Sequence, residues 1–216
     1  MNTTGTDSRH RQTAGFTLLE LVVSIAIFTI LTTVVLINYP LFGDQLGVDL
    51  RSQDIALLAR QAQVFALGVR GSTFSQAPDF ERGVFGLYIT DQENTAIRFF
   101  ADRDSRGSAG YRLYNDTPDC GLEGSECVEK FALTRGYYIS DVCVKPGSSS
   151  KICNVSELDI SYARPLPEAR INTNGLEQPV YSYADIVIRS PRTGVAKKVV
   201  IYSSGQITVQ NYEEEQ

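Results

Sequence analysis

The sequence predicts an α+β protein, in which one long N-terminal helix precedes an antiparallel, β-rich globular head. Three observations predict this architecture. Residues 16–39 form an apolar run with a single charge, a helical period follows it, and after about residue 80 aromatic and β-branched residues alternate with turn formers. We expect four parts: a cytoplasmic leader, a transmembrane helix, the soluble half of the long helix and the exported head, at residues 1–15, 16–39, 40–72 and 73–216.

Composition restricts the classes of function. The 216 residues are 43% apolar and 21% charged, which is typical of a globular domain and not of a disordered chain. The net charge of −5 argues against general nucleic-acid binding, which requires a basic surface. His10 is the one histidine and lies in the expected leader, so a processed protein would lack a histidine base, metal ligand or triad. We therefore expect no enzyme activity, no cofactor and no metal site.

The apolar run at residues 16–39 predicts a single membrane-spanning helix. Its length of about 36 Å as a helix is enough to cross a hydrocarbon core of about 30 Å. Arg9 and Arg11 precede the run, whereas Asp44 and Asp49 follow it, so the positive-inside rule places the N-terminus in the cytoplasm. The run is longer than the apolar stretch of a secretory signal peptide and lacks a small-residue cleavage site at its end.

Glu20 is the one charge in this run. A carboxylate in a membrane span costs roughly 2.5–3.5 kcal/mol on insertion scales, so an intramembrane acid is functional by default. Either the side chain snorkels to the nearby headgroups, or it requires a partner cation that the span itself does not offer. A plain signal anchor would explain the length and the flanking charges of the segment but not Glu20.

The segment Gly15-Phe16-Thr17-Leu18-Leu19-Glu20, followed by the apolar run, resembles the type IV prepilin signature. Type IV pilins, type II secretion pseudopilins and competence pseudopilins share that signature. The resemblance implies that a membrane peptidase cuts between Gly15 and Phe16 and then methylates the amine of Phe16. It also implies that Glu20 meets the N-terminal amine of a neighbouring subunit, which is the missing cation.

On this resemblance, we expect a structural subunit, major or minor, of a type IV pilus-like or type II secretion-like filament that assembles through its N-terminal helix. The implied partners are the prepilin peptidase and methylase, other pilin subunits in a homo- or hetero-filament, an inner-membrane assembly platform and membrane lipid. The implied location is the cytoplasmic (inner) membrane, crossed once, and then an extracytoplasmic filament. The alternative is a minor or tip pilin whose head binds DNA, a surface or an export substrate.

Pro40, Gly43 and Gly47 follow the apolar run and predict a break in the helix. Proline removes an internal hydrogen bond, and glycine weakens a helix by ~0.5–1 kcal/mol. We expect a kink or a locally melted stretch between residues 38 and 47, and a simple hinge at the membrane exit is the alternative.

The helical period returns after Asp49 and predicts one buried face. Leu57 and Val64 are expected to widen this face, which should dock on a sheet of the head. A glycine-rich end is expected between Gly68 and Ser72. The face itself consists of Ile55, Leu58, Ala62, Phe65 and Val69.

The head is predicted to contain short strands in two antiparallel sheets or in one strongly curved sheet. Leu158, Ile160 and Tyr162 alternate with polar residues, which predicts a strand buried on one face. The closing hairpin with its short G-Q-I-T-V strand resembles that of the minor pseudopilin H group. The other predicted strands are Val84–Thr90, Ala96–Ala101, Tyr111–Tyr114, Phe131–Thr134, Tyr137–Val144, Tyr183–Arg189, Val195–Tyr202 and Gln206–Gln210.

Four cysteines lie between residues 120 and 153 and contain no CxxC spacing, so they predict disulfides in an oxidising compartment and not a zinc site. Three connectivities are possible, and free buried thiols are the alternative. We expect Cys120–Cys127 and Cys143–Cys153, because each pair closes a short loop rich in turn formers.

Two segments of the head contain charged residues of the kinds found in binding sites. The acidic run 102–107 has only two carboxylates and one serine, whereas calcium needs six to eight oxygens, so a solvated turn is expected there. A basic group near the last hairpin could form a nucleic-acid patch, but the acidic tail at residues 213–215 opposes it, and a solvated strand surface is expected. This basic group consists of Arg189, Arg192, Lys197 and Lys198.

Overall fold

The computed structural model describes residues 15–68, 83–104, 110–115, 120–122, 125–173 and 180–213, apart from the side chain of Asn38. The chain divides into two compact units, residues 1–40 and residues 41–216. The predictions for the leader up to residue 14, for residues 69–72 and for residues 105–107 lie outside the described residues.

One long helix and nine strands occur within these ranges. The helix, α1, spans Leu18–Leu67, and a short 3₁₀ helix spans Asp91–Glu93. The strands are β1 Val84–Thr90, β2 Ala96–Ala101, β3 Cys127–Ala132, β4 Tyr138–Pro146, β5 Glu157–Ala163, β6 Leu166–Thr173, β7 Tyr181–Arg189, β8 Ala196–Tyr202 and β9 Ile207–Asn211.

The strands form two antiparallel sheets, and together with the long helix they confirm the predicted α+β class. The first sheet has five strands in the order β3-β2-β1-β5-β6, and the second has four in the order β4-β7-β8-β9. Of the two alternatives, two sheets and not one curved sheet are therefore present. One hydrophobic core joins the inner faces of both sheets to α1.

The face of α1 that enters this core is narrower than predicted. Ile55, Leu58 and Ala62 are buried, and the ring of Phe65 lies edge-on against two other phenylalanines. The side chains of Leu57 and Val64 are 62% and 63% exposed. The prediction that they widen the buried face is therefore wrong. At 100° per residue, they lie on the side of the helix opposite the core.

Residues 38–47 are helical in the structure, and Pro40 is inside α1. The melted alternative therefore does not describe this state of the chain, and the kink stays a prediction. Gly47 has a packing role that the helix-breaking interpretation did not foresee, because a Cβ there would overlap the phenol of Tyr137. Apart from its chain neighbours and the backbone of α1 itself, no described atom lies within 4 Å of the place where Gly43 would carry a Cβ.

The strands at the start of the head and in the closing meander agree with the predicted strands to within about two residues. Tyr111–Tyr114 is a correction, because these residues form a turn and not a strand. Arg112 has a φ of 68°, and the backbone N–H groups of Arg112 and Tyr114 donate to carboxylates instead of joining a ladder. The sequence prediction also missed β6, whose proline and charged residues conceal its alternation.

The strand β5 is present, but it is buried on both faces. Asp159 and Ser161, which the alternation placed at the surface, are 2% and 0% exposed. The loop containing Arg112 and Tyr114 covers this second face, because its backbone and side chains bond to Asp159 and Ser161.

Two disulfides staple loops of the head. Cys120 is bonded to Cys127 and Cys143 to Cys153, in agreement with the pairing expected from the short loops. The second bond closes the loop between β4 and β5, where Val144 and Ile152 also form an isolated β-bridge.

Candidate processing and assembly site

The N-terminal end of α1 is defined by a side-chain cap. Gly15, Phe16 and Thr17 are not helical, and the helix begins at Leu18. The hydroxyl oxygen of Thr17 accepts a hydrogen bond from the backbone N–H of Glu20 at 3.2 Å. Thr17 thus occupies the N-cap and Glu20 the third helical position, the residue pair of a capping box. The predicted scissile bond between Gly15 and Phe16 therefore lies outside the helix.

Gly15 and Phe16 have no internal packing role in the described part of the chain. Phe16 is 82% exposed, and apart from its chain neighbours no described atom lies within 4 Å of the Cβ position of Gly15. Within the described residues, no packing contact requires a glycine at residue 15. A glycine at residue 15 is consistent with recognition by an enzyme whose site admits only a small residue there.

Glu20 is exposed, as are the large apolar side chains around it. Between Gly15 and Pro40 it is the one charged residue of the sequence. The helix that carries it is long and apolar enough to cross a membrane, and its apolar window is not buried inside the protein. The segment therefore presents one carboxylate on an otherwise apolar surface.

The hydroxyl groups of this segment are satisfied within the helix. Each donates to the carbonyl oxygen four residues earlier, at distances of 2.7–2.8 Å. Such bonds satisfy the hydroxyl donors without help from solvent or a neighbouring helix. The hydroxyls therefore remain compatible with a lipid environment, and they belong to Ser24, Thr29, Thr32 and Thr33.

A comparison with protein families finds the prokaryotic N-terminal methylation motif at residues 10–36. The chain has a prepilin-type N-terminus. The matched range contains the predicted cleavage residues and Glu20, and it supports the type IV prepilin and pseudopilin family. The motif implies processing by a prepilin peptidase and assembly with other pilin subunits. Together with the apolar helix, it is consistent with a membrane-anchored, single-pass protein.

No curated protein and no solved structure matches the chain. The family match covers the N-terminal segment and does not extend to the head. The narrower likeness of the head to the minor pseudopilin H group is not confirmed.

The soluble half of α1 has an apolar side that faces away from the core. We call Leu46, Leu50, Leu57 and Val64 the outer stripe. They follow each other at spacings of four, seven and seven residues, so they lie along one face of the helix. Their exposed fractions lie between 49% and 64%. A line of exposed apolar side chains along one helix face is consistent with a protein interface.

Acidic residues of α1 anchor the helix to the hairpin between β7 and β8. Asp44 accepts hydrogen bonds from the Ser190 hydroxyl at 3.0 Å and from Arg192 Nη2 at 3.2 Å. Burial would raise the pKa of Asp44, but the hydrogen bonds from Ser190, Arg192 and Thr193 outweigh it and hold the pKa below its usual value. Lys197 forms an ion pair with Asp49, one helical turn further along.

These anchors account for half of the basic group that was weighed as a nucleic-acid patch. Arg192 and Lys197 bind acids of α1, and Arg189 lies over the ring of Tyr212 at 5.7 Å and donates to the carbonyl of Gly194. Among the described residues, Arg192 and Lys197 therefore neutralise acids of the same chain. The arrangement gives no specific support for DNA binding.

The acidic run near residue 102 is part of a buried carboxylate cluster formed by Asp102, Glu126 and Asp159. Carboxylate oxygens of Asp102, Asp104 and Glu126 lie within 4.8 Å of one another. Asp102 accepts from the N–H groups of Asp104 and Arg112, and Glu126 accepts from those of Arg103 and Asn115. The oxygens thus hold the covering loops in place.

The environment of this cluster raises the pKa of its members. Burial raises the pKa of both Glu126 and Asp159 to about 7, against the opposing effect of backbone hydrogen bonds. Neighbouring carboxylates raise both values further. Burial also raises the pKa of Asp102. Local sequence patterns do not predict this cluster, because its members come from three separate segments.

Sequence analysis also missed the roles of Thr17 and Asp44. The spacing of Thr17 and Glu20 is itself the sequence signature of a capping box, so it could have predicted where the helix starts. Asp44 was used only as a charge that flanks the membrane segment. Its partners lie nearly 150 residues away, and no local pattern announces them.

Proposed function

We propose that this chain is a structural subunit of a type IV pilus-like or type II secretion-like filament. It is cleaved after Gly15, N-methylated at Phe16 and assembled through its N-terminal helix. The carrying observation is the exposed carboxylate of Glu20, placed in an apolar helix as the fifth residue of the chain whose first amine cleavage would create. In this proposal, Glu20 of one subunit pairs with the Phe16 amine of the next.

The physics of the segment supports an intermolecular pair. An isolated carboxylate in hydrocarbon is costly, and the sequence between residues 15 and 40 holds no cation. Cleavage produces one amine per subunit, so an array of subunits would supply one cation for every Glu20. Such pairing would also define the axial register between neighbouring helices.

The outer stripe supports assembly beyond the membrane. Leu46, Leu50, Leu57 and Val64 are exposed on the soluble half of α1, where a lone subunit would place them in water. Packing against neighbouring helices would bury this surface, which is favourable by roughly 25 cal/mol per Å² of apolar area. The proposed filament therefore uses both halves of α1. The alternative of a tip pilin that binds DNA has no comparable support.

Mass spectrometry of the protein purified from membranes tests processing. We expect the mature chain to begin with N-methylated Phe16. A mature N-terminus at any other residue would contradict the proposal. Gly15→Val is expected to remain uncleaved and, because it lacks the new amine, to be excluded from filaments.

The assembly step is tested with Glu20→Ala and Glu20→Gln in a strain that produces filaments. Both variants should insert and be cleaved, but their share of sheared filaments should fall roughly tenfold, which corresponds to ~1.4 kcal/mol. Thr29→Val is the matched control in the same segment, since it removes a hydroxyl that is satisfied within the helix. Assembly of the two Glu20 variants at the level of the control would refute the pairing.

A further inference from the structure

The hydroxyl of Thr17 has a different role from the other described hydroxyls of the N-terminal segment. Four hydroxyls between residues 24 and 33 donate to carbonyl oxygens one turn earlier, which leaves the backbone bonds of the helix in place. The hydroxyl oxygen of Thr17 instead accepts from the backbone N–H of Glu20. Acceptance from an N–H three residues later is typical of a helix start. Thr17 therefore determines where the helix begins.

This hydrogen bond takes the place of a backbone bond. In a continuous α-helix, the N–H of Glu20 would donate to the carbonyl oxygen of Phe16, four residues earlier. The structure has instead a backbone bond from the N–H of Leu21 to the carbonyl of Thr17, at 3.2 Å, and residues 15–17 are not helical. The Thr17 hydroxyl thus satisfies an N–H that would otherwise require Phe16 to join the helix.

The surroundings of this helix start make an unsatisfied N–H unfavourable. The side chains of Phe16, Leu18 and Leu19 are 82%, 80% and 73% exposed, which in the proposed membrane segment places them against lipid. Lipid offers no hydrogen-bond acceptor, so backbone donors are satisfied within the chain. Without the hydroxyl of Thr17, extension of the helix to Phe16 is the way in which the chain itself satisfies the N–H of Glu20.

We propose that Thr17 is a positioning residue for processing, because its cap keeps the bond between Gly15 and Phe16 outside the helix. Proteases cleave the locally unfolded form of a chain, and the cleavage rate follows the population of that form when opening is fast. Loss of the cap should therefore slow cleavage without any contact between Thr17 and the peptidase. This inference rests on the proposed cleavage after Gly15 and adds the residue that controls the conformation of the cleaved bond.

Three substitutions at residue 17 separate capping from recognition of the side chain's shape. Serine and asparagine are N-cap residues at least as good as threonine, although asparagine has a different shape, whereas valine has the shape of threonine but no acceptor. We expect Thr17→Ser and Thr17→Asn to be cleaved within about twofold of the parent rate. Thr17→Val should be cleaved roughly fivefold more slowly, which matches the typical effect of losing an N-cap.

The assay uses full-length precursors in non-ionic detergent with a prepilin peptidase, and mass spectrometry follows the initial rates. Since the cap changes the fraction of precursor that is open for cleavage, Thr17→Val should raise KM and leave kcat unchanged. Thr29→Val is the matched control and should be cleaved as the parent is, because the Thr29 hydroxyl donates to a carbonyl of the same helix. A lower kcat at unchanged KM would overturn the positioning role.

The other outcomes distinguish this inference from the proposed function. Cleavage of Thr17→Val at the parent rate, or slow cleavage of Thr17→Asn, would overturn the cap's role and leave the processing proposal standing. A parent chain that is not cleaved between Gly15 and Phe16 would overturn both. The Cα chemical shift of Phe16 in micelles is a second measurement, and it should move toward the helical value in Thr17→Val. An unchanged shift would overturn the conformational explanation even if cleavage slows.

Discussion

At the scale of single residues, Gly47 carries a constraint that its neighbour Gly43 does not share. The phenol of Tyr137, which is buried in the common core, lies against the backbone of α1 at Gly47. A methyl group there would overlap the hydroxyl of Tyr137, whereas a Cβ at Gly43 would meet no described atom within 4 Å beyond its chain neighbours and the backbone of its own helix. Two glycines in one helix therefore have different roles, one in packing and one without a packing constraint.

Gly47→Ala should destabilise the protein in spite of alanine's better helix propensity. Overpacking of a core contact costs typically 1–3 kcal/mol, so we expect a loss of about that size in urea unfolding followed by circular dichroism. Gly43→Ala is the matched control and should be neutral or stabilising by up to ~1 kcal/mol. In a double-mutant cycle, Tyr137→Ala should remove most of the cost of Gly47→Ala, and additive effects would contradict the contact.

The residue scale also shows which local features the sequence could predict. Glu20 and the glycine before Phe16 stand out because a charge in an apolar run and a short motif are visible in a few adjacent letters. The contact between Tyr137 and Gly47 cannot be predicted from adjacent residues. The two residues are 90 positions apart, and neither has unusual neighbours in the sequence. The same reason hid the pairing of Asp44 with Arg192.

At the scale of elements, the soluble half of α1 is attached to the head through its polar edges as well as its apolar face. Asp44 and Asp49 bind the β7–β8 hairpin, and Arg51 donates to the Thr134 hydroxyl at 2.8 Å. Gln63 donates to the carbonyl of Pro167 at 2.9 Å, beside β6. The helix is therefore attached at several points along its soluble half.

Asp44→Asn should loosen the membrane-proximal end of this attachment. The pKa of Asp44 is lowered in the folded state, so its contribution is present above the unfolded pKa near 3.8 and is lost below it. At pH 7 we expect faster amide hydrogen exchange over residues 41–52 of the variant. Asp54→Asn, which breaks only the i,i+3 surface pair with Arg51, is the control and should leave exchange unchanged. Equal exchange in both variants would contradict the anchor.

The strands differ in how well the sequence pattern predicts them. β1 and β2 were predicted with their observed bounds because both are dense in aromatic and β-branched residues. β6 was missed because Pro167, Glu168 and Arg170 mask the buried Ala169 and Ile171. The Tyr111–Tyr114 segment has strand-forming residues, but distant carboxylates capture its N–H groups, and tertiary contacts override its propensity.

At the scale of the whole molecule, the buried carboxylate cluster gives the head a pH dependence of unusual sign. The pKa of Glu126 and that of Asp159 are about 7 in the folded state and near 4.5 and 3.8 when unfolded. The folded protein therefore takes up protons first as the pH falls, and its stability increases between pH 8 and pH 5. The other groups that face the pair, Asp102, Asp104 and Glu157, are also acids.

We expect the free energy of unfolding to be larger at pH 5 than at pH 8 by at least about 1 kcal/mol, since the limit per group is ~1.4 kcal/mol per pH unit and partial solvation reduces it. Urea unfolding of the full chain at four pH values measures this. The variant with both Glu126→Gln and Asp159→Asn should have a flatter profile. A stability that falls from pH 8 to pH 5 in the parent would contradict the raised pKa values.

The hydroxyl groups of the membrane segment have a consequence for the life of the subunit before assembly. Because Ser24, Thr29, Thr32 and Thr33 direct their protons to carbonyls of the same helix, they offer little adhesion to another helix in the bilayer. In the proposed function, this would let subunits accumulate in the lipid as separate chains before they assemble. Entry into the filament would then depend on a single directional contact at the end of the helix. The concentration of unassembled subunits in the membrane could therefore rise without starting polymerisation.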